Sequence, residues 1–277
     1  LRKAGFKIHA HWMPNLYGST PEMDVEDYEK LFSDPDFCPD ELKIYPCSLI
    51  ESAELMQQYE AGTWRPYTHE ELMHILVECF EKTPEYCRLT RVIRDIPGTD
   101  IVTGNKVTNF RQLVDQEMER RGSRSPDIRA REIRKQQVTA EDLRLDSVEY
   151  TSSMSDEIFL QYITEGRDIA GFLRLSLPFR EETPLVEELD GCAMIREIHV
   201  YGQSLNIGES REGQAQHLGL GTQLIEKAVE IARERGYEKL AVISAIGTRE
   251  YYRKRDFVDG KLYQIRDIRN DLPAKMV

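Results

Sequence analysis

Gln216-His217-Leu218-Gly219-Leu220-Gly221-Thr222 runs directly into the amphipathic stretch Gln223 to Gly236. Two glycines one residue apart let backbone amides approach an anion closely. A helix opening at Thr222 points its unpaired N–H groups and its positive dipole end to the same place. The stretch reads as a phosphate cradle feeding a helix, and a pyrophosphate would fit it. Inside the helix Leu224, Ile225, Ala228, Val229 and Ala232 recur at helical spacing, Glu226, Lys227, Glu230, Arg233 and Glu234 face water, and Gly236 supplies the stop. The helix is expected to pack on a sheet by one face.

The loop lacks the Gly-Lys-Ser/Thr of a P-loop and does not complete the dinucleotide G-x-G-x-x-G. What remains, Q-x-x-G-x-G, is similar to the coenzyme A pyrophosphate loop of the GNAT acetyltransferase superfamily. The flanks agree with that resemblance: a strand at Arg196 to Tyr201, a strand at Leu240 to Ser244, then a helical Thr248-Arg249-Glu250-Tyr251-Tyr252-Arg253-Lys254. The competing reading is a helix entry whose glycines serve turn geometry alone.

A chain of 277 residues is long enough for two ordinary domains. A net charge of -12 argues against general nucleic-acid binding but leaves room for a local basic patch. No run approaches the ~20 apolar residues of a membrane helix, and Leu1-Arg2-Lys3-Ala4-Gly5 is neither an initiator nor a signal peptide. The expectation is a cytoplasmic protein, incomplete at its N-terminus, with no membrane contact. Cys38, Cys47, Cys79, Cys87 and Cys192 include no C-x-x-C pair, and five unpaired thiols suit a reducing compartment. His9 and His11 share one strand face, where they serve either a metal or hydrogen-bonded packing.

Gly5 to Trp12 alternates as a strand, Asp24 to Phe32 is helical, Leu42 to Cys47 is a short strand, His69 to Thr83 is a long helix, and Leu89 to Ile93 is a further strand. That order suggests parallel pairing. Later, Asp146 to Thr151, Ile158 to Ile163 and Ile169 to Leu177 read as antiparallel strands, Glu181 to Asp190 as an acidic surface loop, and Asn206 to Gln214 as a polar loop.

In the first part, His11-Trp12-Met13-Pro14-Asn15-Leu16-Tyr17-Gly18, Glu22-Met23-Asp24, Pro39-Asp40, Leu42-Lys43-Ile44-Tyr45-Pro46-Cys47 and Arg94-Asp95-Ile96-Pro97 closely resemble the catalytic subunits of Elongator, the tRNA carboxymethyluridine synthases. The resemblance implies the latter part of a radical S-adenosylmethionine α/β barrel over residues 1–115, a basic linker over 116–144, and a GNAT fold with a mixed central sheet and flanking helices over 145–277. It implies acetyl-CoA as cofactor in this chain. In the complete protein it also implies S-adenosylmethionine and a 4Fe-4S cluster, whose cysteine ligands lie upstream of Leu1 in the family. Many relatives carry linker cysteines for a structural zinc. Here Ala130 stands before Arg131-Glu132, which argues against zinc, and no metal ligand is assigned.

By the same resemblance, acetyl-CoA contacts fall on Glu197, Ile198, His199 and Val200, on Gln216, Gly219, Leu220, Gly221 and Thr222, and on Tyr252. Tyr252, or Tyr251 beside it, would protonate the leaving thiolate, a general-acid task that suits a phenol; neighbours in a helix cannot face the same way. Glu197 is either a general base or half of a cross-strand polar pair. Arg120, Arg121, Arg124, Arg129, Arg131, Arg134 and Lys135 form a basic cluster, extendable by Arg88, Arg91 and Arg94, that is either a solvated face or an RNA phosphate contact. The implied reaction places a carboxymethyl group on carbon 5 of the tRNA wobble uridine. Its partners would be the tRNA anticodon stem-loop and either Elongator-type accessory subunits or a second copy of the chain. A lysine or amine N-acetyltransferase, and an acetyl-CoA-gated tRNA-binding module, are the alternatives.

Overall fold

The computed structural model describes residues 1–92, 96–134, 138–181, 183–201 and 219–269. They fall into two compact units: Ile8–Ala130, and Leu1–Lys7 joined to Arg131–Val277. No described helix is long and apolar enough to cross a membrane.

The Ile8–Ala130 unit contains β1 (His9–Trp12), α1 (Pro21–Ser33), β2 (Glu41–Ile44), β3 (Leu49–Ile50), α2 (Leu55–Glu60), α3 (His69–Lys82), β4 (Arg88–Val92), β5 (Ile101–Thr103) and α4 (Phe110–Arg120). Strands β1, β2 and β4 pair in parallel in that order, and β3 and β5 form a short antiparallel pair. Helix α1 starts where Met23 N donates to Thr20 Oγ1, with Pro21 at its first position. Helix α3 starts on a reciprocal capping box between Thr68 and Glu71, and buries Leu72, Ile75, Leu76, Cys79 and Phe80. Parallel strands joined by helices make a stretch of α/β barrel wall, as the strand–helix–strand order suggests.

One expected strand is shorter than its alternation suggests. Arg2–Ala4 is a 3-10 turn closed by Gly5 at φ 79, Phe6 is exposed, and β1 begins only at His9. The reason is tertiary. Leu1–Lys7 docks on the second unit: Tyr263 Oη donates to Ala4 O at 3.0 Å, Arg196 Nη1 donates to Phe6 O at 3.3 Å, and Lys7 Nζ donates to Glu197 Oε1 at 3.1 Å. A Cβ on Gly5 would lie 2.2 Å from Met194 Sδ, so the close approach as well as the positive φ selects glycine.

The stretch 116–144, expected as a linker, contains packed structure. It includes the end of α4 and α5 (Ile128–Arg131), and the wholly buried Asp127 accepts from Leu89 N, Arg111 Nη2, Ser125 Oγ and Arg129 N. A buried carboxylate bonded four ways stitches this segment to β4, a contact that basic composition alone does not reveal.

The second unit is built on a seven-stranded sheet. It contains β6 (Arg144–Thr151), β7 (Ser155–Ile163), β8 (Ile169–Pro178), β9 (Cys192–Val200), α6 (Leu220–Glu234), β10 (Lys239–Val242), α7 (Arg249–Arg253), β11 (Val258–Asp259) and β12 (Gln264–Asp267). The strand order is β11-β12-β10-β9-β8-β7-β6. Neighbours are antiparallel except β9 and β10, which run parallel because α6 crosses between them. The apolar face of α6, from Leu224 to Ala232 as the periodicity predicts, packs on Leu173, Leu175, Ala193, Ile195, Leu240 and Val242.

A charged knot lies in this sheet. Glu157, 1% exposed, accepts from Arg196 Nε at 2.9 Å and from Ser155 Oγ and Ser176 Oγ at 2.7 Å each. Replacing Arg196 by Met would take from the buried carboxylate its nearest cation and leave it Arg2 at 3.7 Å, at a cost of about 3 kcal/mol. The expected outcome in a thermal melt is a fall of roughly 10 °C in the unit's Tm; a melt within about 2 °C of the parent would show the knot to be dispensable.

Candidate functional site

Strand β9 pairs with β10 only from Cys192 to Ile195 and then runs on through Arg196–Val200 beyond the end of its partner. On its other side β9 stays paired with β8 as far as Val200, with a register shift at Arg174/Leu175. The parallel pair therefore opens, and the backbone of residues 196–200 presents an edge to which an extended group can add.

The N-terminus of α6 closes the same opening. Gly219 is its N-cap at φ 68, with no side-chain cap, and the helix begins at Leu220 rather than at Thr222. The left-handed angle falls on Gly219, and Gly221 lies inside the first helical turn. A Cβ on Gly221 would lie 3.7 Å from Val200 Cγ2, and Leu220 shares a buried cluster with Val200 and Tyr201. Helix start and strand tip are thus neighbours, and the first-turn amides of α6 lie beside the open edge. Gln216, His217 and the loop 206–214 lie outside the described residues, as do Arg94 and Lys135.

Helix α7 contributes the phenols, and they separate clearly. Tyr251 is half-buried, and a Cβ on Gly221 would come within 2.4 Å of its hydroxyl oxygen. Burial raises the Tyr251 pKa, partly opposed by the Arg255 guanidinium and the Thr222 hydroxyl. Tyr252 is 5% exposed and belongs to the apolar core with Phe257, its ring edge-on at 5.5 Å. Burial pushes its phenol well above the usual range. The structure brings Tyr251, Gly221, Thr222 and Val200 together and turns Tyr252 away into the core.

Glu197 faces Arg174 across the β8–β9 register and accepts from its Nε at 2.9 Å, and from Lys7 Nζ at 3.1 Å. Burial acts to raise its pKa, but Arg174 and then Lys7 outweigh that and hold it below the ordinary carboxylate range. Such a carboxylate is a poor proton acceptor, so the cross-strand pair is the reading the geometry favours. His199 is exposed, stacked on Phe172 at 5.9 Å and 4.4 Å from the Tyr201 ring.

The basic cluster splits by role. Arg131, 3% exposed, donates to Gln161 Oε1 at 3.0 Å and to Arg167 O at 3.2 Å, inside the second unit, which corrects its assignment to an RNA-facing set. Arg129 donates to Thr90 O and Arg124 to Ala130 O. Arg120 and Arg121 share the Glu117 carboxylate, which they hold down to about 2, and Arg134 is exposed. His9 lies 3.6 Å from Glu41 and shares a 3.2 Å hydrogen bond with Thr90 Oγ1, which accounts for it as packing. Among the described residues no three His, Cys, Asp or Glu side chains gather as metal ligands, and all five cysteines are buried and separate. These residues supply no ligand set for a 4Fe-4S cluster.

The comparisons with known proteins agree with both halves of the geometry. Residues 39–120 match the Radical_SAM C-terminal domain and residues 128–257 the Acetyltransferase (GNAT) family. The tRNA uridine(34) acetyltransferase of Dehalococcoides mccartyi is 38% identical over 91% of this chain and 56% of its own length. Human Elongator complex protein 3 is 35% identical over 91% of this chain and 47% of its own. The archaeal Methanocaldococcus infernus Elp3 with an N-terminal deletion superposes with a TM-score of 0.86 at 35% identity, covering 96% of this chain and 64% of that one. The chain thus spans about half the length of the curated relatives it matches. With a barrel-wall unit followed by a GNAT sheet opened between β9 and β10, the chain belongs to the Elongator complex protein 3 and tRNA uridine(34) acetyltransferase family, as the C-terminal part of its radical S-adenosylmethionine domain plus its GNAT domain.

Proposed function

We propose that this chain carries the acetyl-CoA-handling part of a tRNA wobble-uridine carboxymethyl synthase. The observation that supports it best is the conjunction of the open edge at 196–200, the first turn of α6 at Leu220–Thr222 and the Tyr251 hydroxyl at Gly221. The pantetheine arm adds to the strand edge through backbone groups of Glu197 to Val200, and the pyrophosphate takes the amides at the start of α6. In thioester cleavage, water oxygen bonds to the acyl carbon as the C–S bond breaks. The Tyr251 proton passes to sulfur, and the proton released from water restores the phenol. Products are the free thiol and a carboxylic acid, which gives its remaining proton to solvent and leaves as the carboxylate. The radical chemistry of the family belongs to S-adenosylmethionine and an iron–sulfur cluster; the described residues gather no cysteine set for such a cluster, and no step here passes through either group.

Tyr251 takes the acid role in preference to Tyr252. Glu197 serves as a charged anchor for Arg174 and Lys7, and Arg120, Arg121, Arg124 and Arg134 as the accessible cations for tRNA phosphates. Each phosphate contact releases counterions, so tRNA binding should weaken steeply with salt. Acetyl-CoA hydrolysis by the chain is expected to rise with folded tRNA and to lose most of that stimulation between low and moderate salt. Hydrolysis indifferent to tRNA, accompanied by acetylation of a lysine peptide, would replace this function with amine acetylation. Acetyl-CoA binding without turnover under any condition would leave a binding module.

A further inference from the structure

Arg255, two residues beyond α7, belongs to none of the sets above. Its Nε and Nη2 donate to Thr222 Oγ1 at 3.1 and 2.6 Å, and its Nη1 donates to the Tyr251 carbonyl oxygen at 2.6 Å. Its guanidinium carbon stands 3.5 Å from the centroid of the Tyr251 ring. Arg255 makes no ion pair with any described residue, and its bond to Thr222 holds it at the N-terminal end of α6, where the helix dipole disfavours a cation. The fold tolerates this placement in exchange for a clamp. One planar group ties the first turn of α6 to Tyr251, covers the face of its ring, and leaves its hydroxyl against Gly221. The edge-on ring of Tyr252, 5.4 Å away at 89°, buttresses the same phenol from the core.

We propose that Arg255 is the positioning residue of this site, holding Tyr251 against the start of α6 so that its hydroxyl meets the sulfur of a bound acyl-CoA thioester. The proposal rests on the reading of Tyr251 as the proton donor. It assigns Arg255 no contact with the reacting atoms: its effect passes through Tyr251, and the cation over the ring also eases departure of the phenolic proton. Lysine, with a charge but no planar fork, can replace only part of the clamp.

The test is a double-mutant cycle on Arg255→Leu and Tyr251→Phe, with Arg255→Lys and the neighbouring exposed Arg253→Leu beside it. Thermal melts, calorimetric Kd for acetyl-CoA and turnover of acetyl-CoA are read for each protein. Arg255→Leu is expected to lower turnover roughly 10- to 30-fold, a part of the roughly 100- to 10,000-fold that a well-placed general acid contributes, with Kd within about twofold, which counts as unchanged on the affinity scale. Arg255→Lys recovers part of the loss, and Arg253→Leu changes neither quantity. In the Tyr251→Phe background, Arg255→Leu should cost less than about twofold more, the non-additivity of residues acting as one unit. Should Arg255→Leu melt too low to assay, the cycle is completed with Arg255→Lys. Independent, additive losses, or a Kd that worsens as much as turnover, overturn the proposal. Unchanged turnover in Arg255→Leu, with Tyr251→Phe impaired, overturns it while leaving the Tyr251 reading intact. Unchanged turnover in Tyr251→Phe overturns both.

Discussion

Gly221→Val is expected to raise the Kd for acetyl-CoA roughly 100-fold, about 2.7 kcal/mol, while leaving the chain folded. The argument is steric and local. A Cβ at this position would lie 2.4 Å from the Tyr251 hydroxyl oxygen and 3.7 Å from Val200 Cγ2, so either the phenol is displaced or the helix start retreats from the strand tip. Both close the space in which an anion meets the first-turn amides of α6. Gly221 is an ordinary helical residue, so the substitution carries no penalty from a left-handed backbone. Gly219 is the counterpart: it stands at φ 68 with open space around its missing Cβ, so Gly219→Ala strains the backbone and leaves the site unobstructed. Calorimetric titration with acetyl-CoA, with circular dichroism as the folding control, separates the two. A Gly221→Val protein binding within about threefold of the parent would remove the cradle from the account.

Tyr251→Phe should lower acetyl-CoA turnover by about 100-fold or more, the usual scale for loss of a general acid, with Kd little changed. Tyr252→Phe should lower turnover by less than about threefold, because a general acid must come within hydrogen-bond reach of the atom it protonates. Tyr252 is packed with Phe257 and Tyr251 in the core, where burial holds its proton tightly. Steady-state rates over a range of acetyl-CoA concentrations decide between them. Equal losses in the two variants, or a larger loss in Tyr252→Phe, would reverse the assignment of roles.

What was visible in the sequence follows from what is local. The face of α6 is written in a period of 3.6, β7 and β8 in apolar strand-forming runs, and the parallel pairing of β1, β2 and β4 in the strand–helix–strand order, and the structure has them. The choice between the two tyrosines was not visible, since adjacent helical residues differ by where the helix is docked and not by their spacing. Nor was Arg196. The sequence places it only at the start of a strand, yet it is buried on Glu157 from another strand, a contact spanning 39 positions. The docking of Leu1–Lys7 depends on contacts between positions as far apart as Ala4 and Tyr263, beyond any local pattern. Arg131 was hidden in the opposite way: a run of arginines suggested one charged surface, whereas the fold buries one of them on Gln161. The two loop glycines looked alike, but Gly219 is required by its backbone angle and Gly221 by the phenol above it.

The direct measurement is hydrogen–deuterium exchange of the chain with and without saturating acetyl-CoA. A pantetheine arm on the open edge and a pyrophosphate on the helix start predict slowed exchange in residues 196–200 and 219–223, with the Ile8–Ala130 unit unchanged. Protection confined to other segments, or none at a ligand concentration shown by calorimetry to saturate, would contradict the placement of the acyl-CoA site between β9 and α6.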